Sequence, residues 1–254
     1  MLTLKGIFAL LPTPFDREAE LYVAKVRANV AKWNRVALAG YVVASEVGEG
    51  ALLCEGERTR LLELVKETAG EGRVLIADVS AASVWQSVKW AKQAAELGYA
   101  AVTVRPPVLG HTDGALYVRC VADHAPVPVV AEGEFSHPNI LATNVLAPER
   151  LADHLAATAN GGAGFAFSAM AAAAPYSCIT IEEAVRKREP EAAADWQARM
   201  ARAVDLVTRQ YGVPGLKHAL DFNGYYGGAC RLPYPVLPPQ ARAEIEAALH
   251  GLRG

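Results

Sequence analysis

Apolar residues along this chain fall into short continuous runs separated by stretches with helical spacing. The first run, Gly6 to Leu11, is stopped by Pro12 and Pro14. Leu21 to Trp33 then carries apolar positions three and four apart, which predicts a helix. Gly40 to Ala44 reads as a second strand. Glu57 to Thr68 follows as a helix whose buried stripe is Leu61, Leu62, Leu64 and Val65. The alternation continues with a strand at Val74 to Val79 and a helix at Ser83 to Leu97 that Gly98 ends. Ala101 to Val104 is the next strand, Gly114 to His124 the next helix, and Val127 to Ala131 a further strand. These strands are continuously apolar rather than alternating, as strands covered on both faces are. A parallel α/β architecture follows.

Beyond residue 131 the rhythm weakens. Ile140 to Thr143 and Gly164 to Ser168 read as short strands, and Pro148 to Ala157 as a helix. Glu182 to Tyr211 is a long helical stretch that Pro190 breaks or bends. The tail from Gly212 is rich in proline and glycine and ends in a helix from Pro239 to Leu252. The total is six or seven clear strands. No glycine-rich dinucleotide fingerprint follows the first strand, where the chain reads Leu11-Pro12-Thr13-Pro14-Phe15. The length of 254 residues favours a closed (β/α) barrel over an open doubly wound sheet.

Composition narrows the class. Hydrophobic residues make up 52% and charged residues 20%, enough to fill a large core. A net charge of −2 without a basic run gives no reason to expect nucleic acid or an anionic membrane as partner. Cys54, Cys120, Cys178 and Cys230 are scattered, with no paired spacing for zinc, and read as reduced thiols. No apolar stretch reaches the roughly 18 residues that span a bilayer. The expectation is a cytoplasmic protein without a membrane partner.

Several segments together resemble the dihydrodipicolinate synthase / N-acetylneuraminate lyase family. Gly6 to Asp16 is similar to that family's first strand and its Thr-Pro-Phe turn. Gly48-Glu49 followed by Leu53-Cys54-Glu55-Gly56-Glu57-Arg58 is similar to the Gly-Thr-Thr-Gly-Glu loop and the helix after it. Ala91 to Ala101 resembles the third helix entering the fourth strand, and Val127-Pro128-Val129 the start of the fifth strand. Pro214 to Leu220, Gly224 and Arg231-Leu232-Pro233 resemble the C-terminal helical segment. The resemblance implies a (β/α)8-type barrel over residues 1–180, with a C-terminal helical segment, 181–254, packed on it as part of one structural domain. It also implies a small-molecule ligand and a homo-oligomer, a dimer or tetramer. Typical members are longer by roughly one strand–helix unit. That deficit falls between residues 131 and 175, which predicts a missing or remodelled unit there.

The chemistry implied by the resemblance is a Schiff base between a strand-six lysine and a 2-oxo acid, with the imine as electron sink. The lysines are Lys5, Lys25, Lys32, Lys66, Lys89, Lys92, Lys187 and Lys217, so none lies where strands four to six must fall. Asn144 or Ala166 takes the lysine's place, depending on alignment. Glu46 and Val47 stand where two threonines would bind a carboxylate, and Glu132 where a tyrosine would relay protons. A glutamate about 4 Å from a substrate carboxylate costs about 1–4 kcal/mol. Class I aldol chemistry is therefore not expected. The expected role is binding of an oxo acid or sugar acid, or another non-lyase activity. The alternative is a lyase on a 2-oxo acid that works without an imine, with or without a metal; no metal site is assigned, and Glu132 and His137 are the weak candidates for one.

Strand ends face the mouth of such a barrel. They supply the candidate ligand-binding residues Ser45, Glu46, Gly48, Glu49, Asp78, Arg105, Glu132 and Asn144, with Glu46 and Glu132 as catalytic candidates. Ser168 ends a further strand candidate, and His111, Glu134 and His137 lie in adjoining loops. No cofactor is implied. Several of these also have plain structural readings: Glu49 as a helix cap, Arg105 as a partner of a neighbouring glutamate, and Lys217 as a structural residue of the C-terminal helices.

Overall fold

The computed structural model describes residues 2–143, 150–159 and 164–252. Its elements run β1 (Gly6–Leu10), α1 (Val23–Trp33), β2 (Gly40–Val43), α2 (Glu55–Thr68), β3 (Val74–Asp78), α3 (Val84–Glu96), β4 (Ala101–Thr103) and α4 (Gly114–His124). They continue with β5 (Val129–Glu132), β6 (Ile140–Thr143), α5 (Leu151–Ala159), β7 (Phe165–Ser168), α6 (Met170–Ala173) and α7 (Pro175–Arg186). Last come α8 (Pro190–Asp205), a π-helical turn at Leu206–Gln210, α9 (Gly212–Phe222) and α10 (Pro239–Leu249).

Among the described residues the strands form one parallel sheet in the order β6-β5-β4-β3-β2-β1-β7. Strands β1 to β6 lie side by side in chain order, and β7 returns to the free side of β1, pairing Gly6 with Phe165 and Ala9 with Ser168. A last strand that flanks the first is the cyclic order of a β/α barrel. The sheet is a seven-stranded half-barrel, with β6 and β7 at its two edges among the described residues.

The continuous apolar runs are explained by burial on both faces. Ile7, Ala9, Tyr41 and Val43 pack outward against the helices. Phe8, Val42, Ile76, Ala101 and Val130 point into the curl and form a second core with Leu4. Phe165 and Phe167 close it by edge-on contacts to Phe8. This plug fills the lower part of the curl, so open space remains above it, at the strands' C-terminal ends.

The break expected near Pro190 separates α7 from α8. Pro190 begins α8, where a proline costs no hydrogen bond, and Arg188 takes a positive φ of 61° in the connecting turn. The Pro/Gly-rich start of the tail is itself helical. Gly212 breaks the preceding π turn at φ 53°, and Pro214 sits in the first turn of α9, which tolerates it. Helix α7 runs continuously across residue 180. No helix among the described residues is long and apolar enough to cross a membrane.

Candidate functional site

Above the aromatic plug the strand ends surround a cavity of about 340 Å3. That lies at the lower end of the range of small-ligand sites, roughly 300–1,000 Å3. Leu10, Val42 and Phe167 form its apolar floor, and Ser45, Glu46 and Val47 enter from the loop after β2. Asp78 ends β3, Thr103 ends β4 with Arg105 just beyond, Glu132 ends β5 and Ser168 ends β7. Thr208 of the π turn and Tyr234 of the tail complete the polar part of the wall.

The loop after β2 has an unusual course. Ala44 at φ 60° turns the chain at the strand end, and two single-turn 3-10 helices follow, Glu46–Gly48 and Gly50–Leu52. Glu49, between them, is left-handed at φ 55°. Ser45 is only 3% exposed, and among the described residues its Oγ has no hydrogen-bond partner. Glu46 reaches across the mouth, its Oε2 2.8 Å from Arg105 Nη1; both side chains are about half exposed or more, at 67% and 51%.

Asp78 is buried, and its Oδ1 accepts the Ser80 backbone N–H at 2.8 Å. Burial pushes its carboxyl pKa up, against the opposing pull of the Ser80 donors and of the Arg105 and Arg58 charges. Arg58 lies behind this wall, donates to the Asp78 carbonyl oxygen at 2.5 Å and stacks 3.8 Å from the Trp90 ring centre. Burial brings its own pKa down to about 10. Ser80 Oγ accepts the Arg105 backbone N–H at 2.9 Å and so ties the β3 and β4 loops together. Ser168 Oγ accepts the Ala171 N–H at 3.3 Å. Burial, then the carboxylates of Glu46 and Glu49, raise the pKa of the Tyr234 hydroxyl.

Five of the residues expected from sequence meet in this wall: Ser45, Glu46, Asp78, Arg105 and Glu132. Gly48 and Glu49 lie behind it. The Gly48 carbonyl accepts the Thr13 hydroxyl at 2.6 Å, and a Cβ on Gly48 would come within 2.7 Å of the Leu11 carbonyl oxygen. Glu49 is buried, its Oε1 2.5 Å from Lys217 Nζ and its Oε2 accepting the Arg231 N–H at 2.8 Å. The N-cap of α2 is Cys54 instead, in a capping box where Glu57 accepts the Cys54 N–H at 3.0 Å. His137 is not part of the wall and is bonded to Asp123 at 3.1 Å. His111 and Glu134 are outside the wall, and Asn144 lies outside the described residues. Among the described residues no group of three His, Cys, Asp or Glu side chains is placed to hold a metal ion. The four cysteines are unpaired.

Thr103, Thr208 and Tyr234 were not foreseen. Thr103 follows from its place at a strand end. Tyr234 arrives through the tail, which Arg231 pins by hydrogen bonds to Glu57, to the Leu52 carbonyl and to the Ala19 carbonyl. All eight lysines are among the described residues, and none lies in the cavity wall. The buried Lys217 is committed to Glu49, to the Ala229 carbonyl at 2.8 Å and to the face of Phe15 at 4.6 Å.

Comparison with known proteins agrees with this geometry. The model of the dihydrodipicolinate synthetase family matches residues 3–129, half of the chain. The 4-hydroxy-tetrahydrodipicolinate synthase of Exiguobacterium sp. is 25% identical over 96% of both chains. N-acetylneuraminate lyase 2 of Escherichia coli is 23% identical, over 91% of this chain and 88% of the relative. The solved dihydrodipicolinate synthase of Cyanidioschyzon merolae superposes with a TM-score of 0.86 at 19% identity over 98% of each chain, a likeness of fold. The chain belongs to the dihydrodipicolinate synthetase family, with the lyase-like barrel scaffold of that group.

Proposed function

We propose that the protein is a divergent member of this family that binds a small molecule at the barrel mouth without forming an imine. The observation that carries this reading is the absence of any lysine from the cavity wall, while the one buried lysine, Lys217, is held by Glu49 and Ala229. An imine needs a free amine within bonding reach of a ketone. The exchange of threonine-like positions for Glu46 and Val47, and the placement of Glu132 at the end of β5, support the same reading. We read the seven-stranded sheet as a barrel that lacks one strand–helix unit between β6 and β7, since β7 takes the last strand's place beside β1 and α5 is the one element between the two among the described residues. The homo-oligomer expected from resemblance belongs to the same proposal. Exposed apolar groups at Trp85, Val108, Leu109 and Leu116 support it.

A second reading, an imine-free lyase on a 2-oxo acid, is favoured by two carboxylates in different surroundings. Asp78 is buried and held toward its protonated form, whereas Glu132 is exposed. Such a pair can divide acid and base roles. Incubation with pyruvate and borohydride, followed by intact mass measurement, tests the first reading: no covalent increment is expected, and a reduction-stable adduct overturns it. Turnover of a 2-oxo acid without an adduct selects the second.

A further inference from the structure

Resting on the reading of this cavity as the ligand site, we infer that its ligand is a small hydroxylated amine, cationic at neutral pH, rather than a carboxylate. The wall carries three carboxylates, Glu46, Asp78 and Glu132, against one guanidinium, Arg105. That guanidinium is already engaged by Glu46 at 2.8 Å. Another cation, Arg58, stands behind the wall, where it donates to the Asp78 carbonyl and stacks on the Trp90 ring. An entering carboxylate would have to displace Glu46 from Arg105 and then sit near Glu132; an ammonium group meets the Glu132 carboxylate and the Glu46 side of the Glu46–Arg105 pair, with Asp78 able to ionise beside it. A cation next to Asp78 would favour its carboxylate form, against the burial that raises its carboxyl pKa.

A second observation independent of charge points to a ligand. Ser45 lines the cavity, and its Oγ is buried and without a hydrogen-bond partner among the described residues. A native buried hydroxyl is normally satisfied. The hydroxyls of Thr103, Thr208 and Tyr234 on other sides of the cavity suit a ligand with alcohol groups on a short carbon skeleton, which the floor of Leu10, Val42 and Phe167 would cover.

Three probes of one skeleton separate charge from shape: serinol (amine), glycerol (neutral) and glycerate (carboxylate), with pyruvate as the 2-oxo acid. Binding to the full chain is read by saturation-transfer NMR at low and high salt. Serinol is expected to bind about tenfold or more tighter than the other three, and to weaken as salt screens the carboxylates. Glu132→Gln and Ser45→Ala are each expected to weaken serinol by several-fold to about tenfold while circular dichroism stays unchanged. Glycerate or pyruvate binding as well as serinol, or no serinol binding at millimolar concentration, overturns the inference. Pyruvate binding without a borohydride-trapped adduct sinks the amine assignment alone, whereas a trapped adduct sinks the imine-free reading.

Discussion

Glu46 and Glu49 are three positions apart in one loop, and each faces a cation, yet they belong to different parts of the molecule. The Glu49–Lys217 pair is sealed, its two side chains 0% and 1% exposed. The Glu46–Arg105 pair is open to water at the cavity rim. The left-handed turn at Glu49 sends its side chain back against α9 and the tail, while the 3-10 turn before it leaves Glu46 forward at the mouth. Depth decides what each pair does. A buried charge that loses its partner has no water to turn to, whereas an exposed one does.

The largest expected effect tests the sealed side. Lys217→Met leaves the Glu49 carboxylate buried with only the Arg231 N–H as donor. It is expected to cost about 3–5 kcal/mol of stability by denaturant titration. Glu49→Leu alone should cost a similar amount by stranding the ammonium. The double variant should recover a good part of either loss, because an apolar pair of similar volume needs no desolvation. Single variants within 1 kcal/mol of wild type, or a double variant as damaged as the sum of the two, would show that the pair is not the anchor the geometry describes.

An intermediate effect is expected one step along the same network. Hydrogen bonds from Arg231, with the Cys54 N–H adding to them, hold the Glu57 carboxyl down to about 2. Its native pKa lies below the ordinary value of 4.5, so the stabilisation is complete above that value and drains away as pH falls toward 2. Glu57→Gln is expected to lose about 1–3 kcal/mol at neutral pH, with the gap to wild type closing as the solution is acidified. A gap that stays constant down to the acid limit would assign the loss to helix capping rather than to the ion pair. Asp78 runs the other way. Its carboxyl is raised by burial, so its contribution is most favourable in acid and declines as pH rises through the carboxylate range.

The same loop shows how far sequence reasoning reached. The parallel rhythm was legible because both-face burial leaves uninterrupted apolar runs. Helix α4 and strand β6 coincide with their expected bounds, Gly114–His124 and Ile140–Thr143. Helix α9 is expected from the resemblance of Pro214 to Leu220 to the family's C-terminal helical segment rather than from local pattern, since its glycines and proline argue against a helix until Pro214 is seen in the first turn, where it is harmless. At the site, the strand-end rule brought Ser45, Glu46, Asp78, Arg105 and Glu132 together in one wall, because the pleat and register of a parallel sheet fix which end each side chain occupies. It placed Gly48 and Glu49 there too, where long-range partners decide otherwise: Thr13 for one, Lys217 and Arg231 for the other. No local pattern carries such a partner's position. Tyr234 was invisible for the same reason, since its place depends on how Arg231 pins the tail to α2.

The smallest expected effect on stability lies on the open side and is the most telling about chemistry. Glu46→Gln removes a pair that water already solvates, so folding stability should change by less than about 1 kcal/mol. The cavity's charge pattern should change far more. Without Glu46, the Arg105 guanidinium no longer has its 2.8 Å partner and becomes a free anchor for an acid, while one of three carboxylates disappears. Serinol should weaken and glycerate should gain, narrowing or reversing the preference between them, with the melting temperature essentially unmoved. A large stability loss in Glu46→Gln would place Glu46 with Glu49 as a structural residue. An unchanged ligand preference would mean that Arg105 and Glu46 hold the two loops together without taking part in recognition, and the distinction between the two halves of this loop would then be one of depth alone.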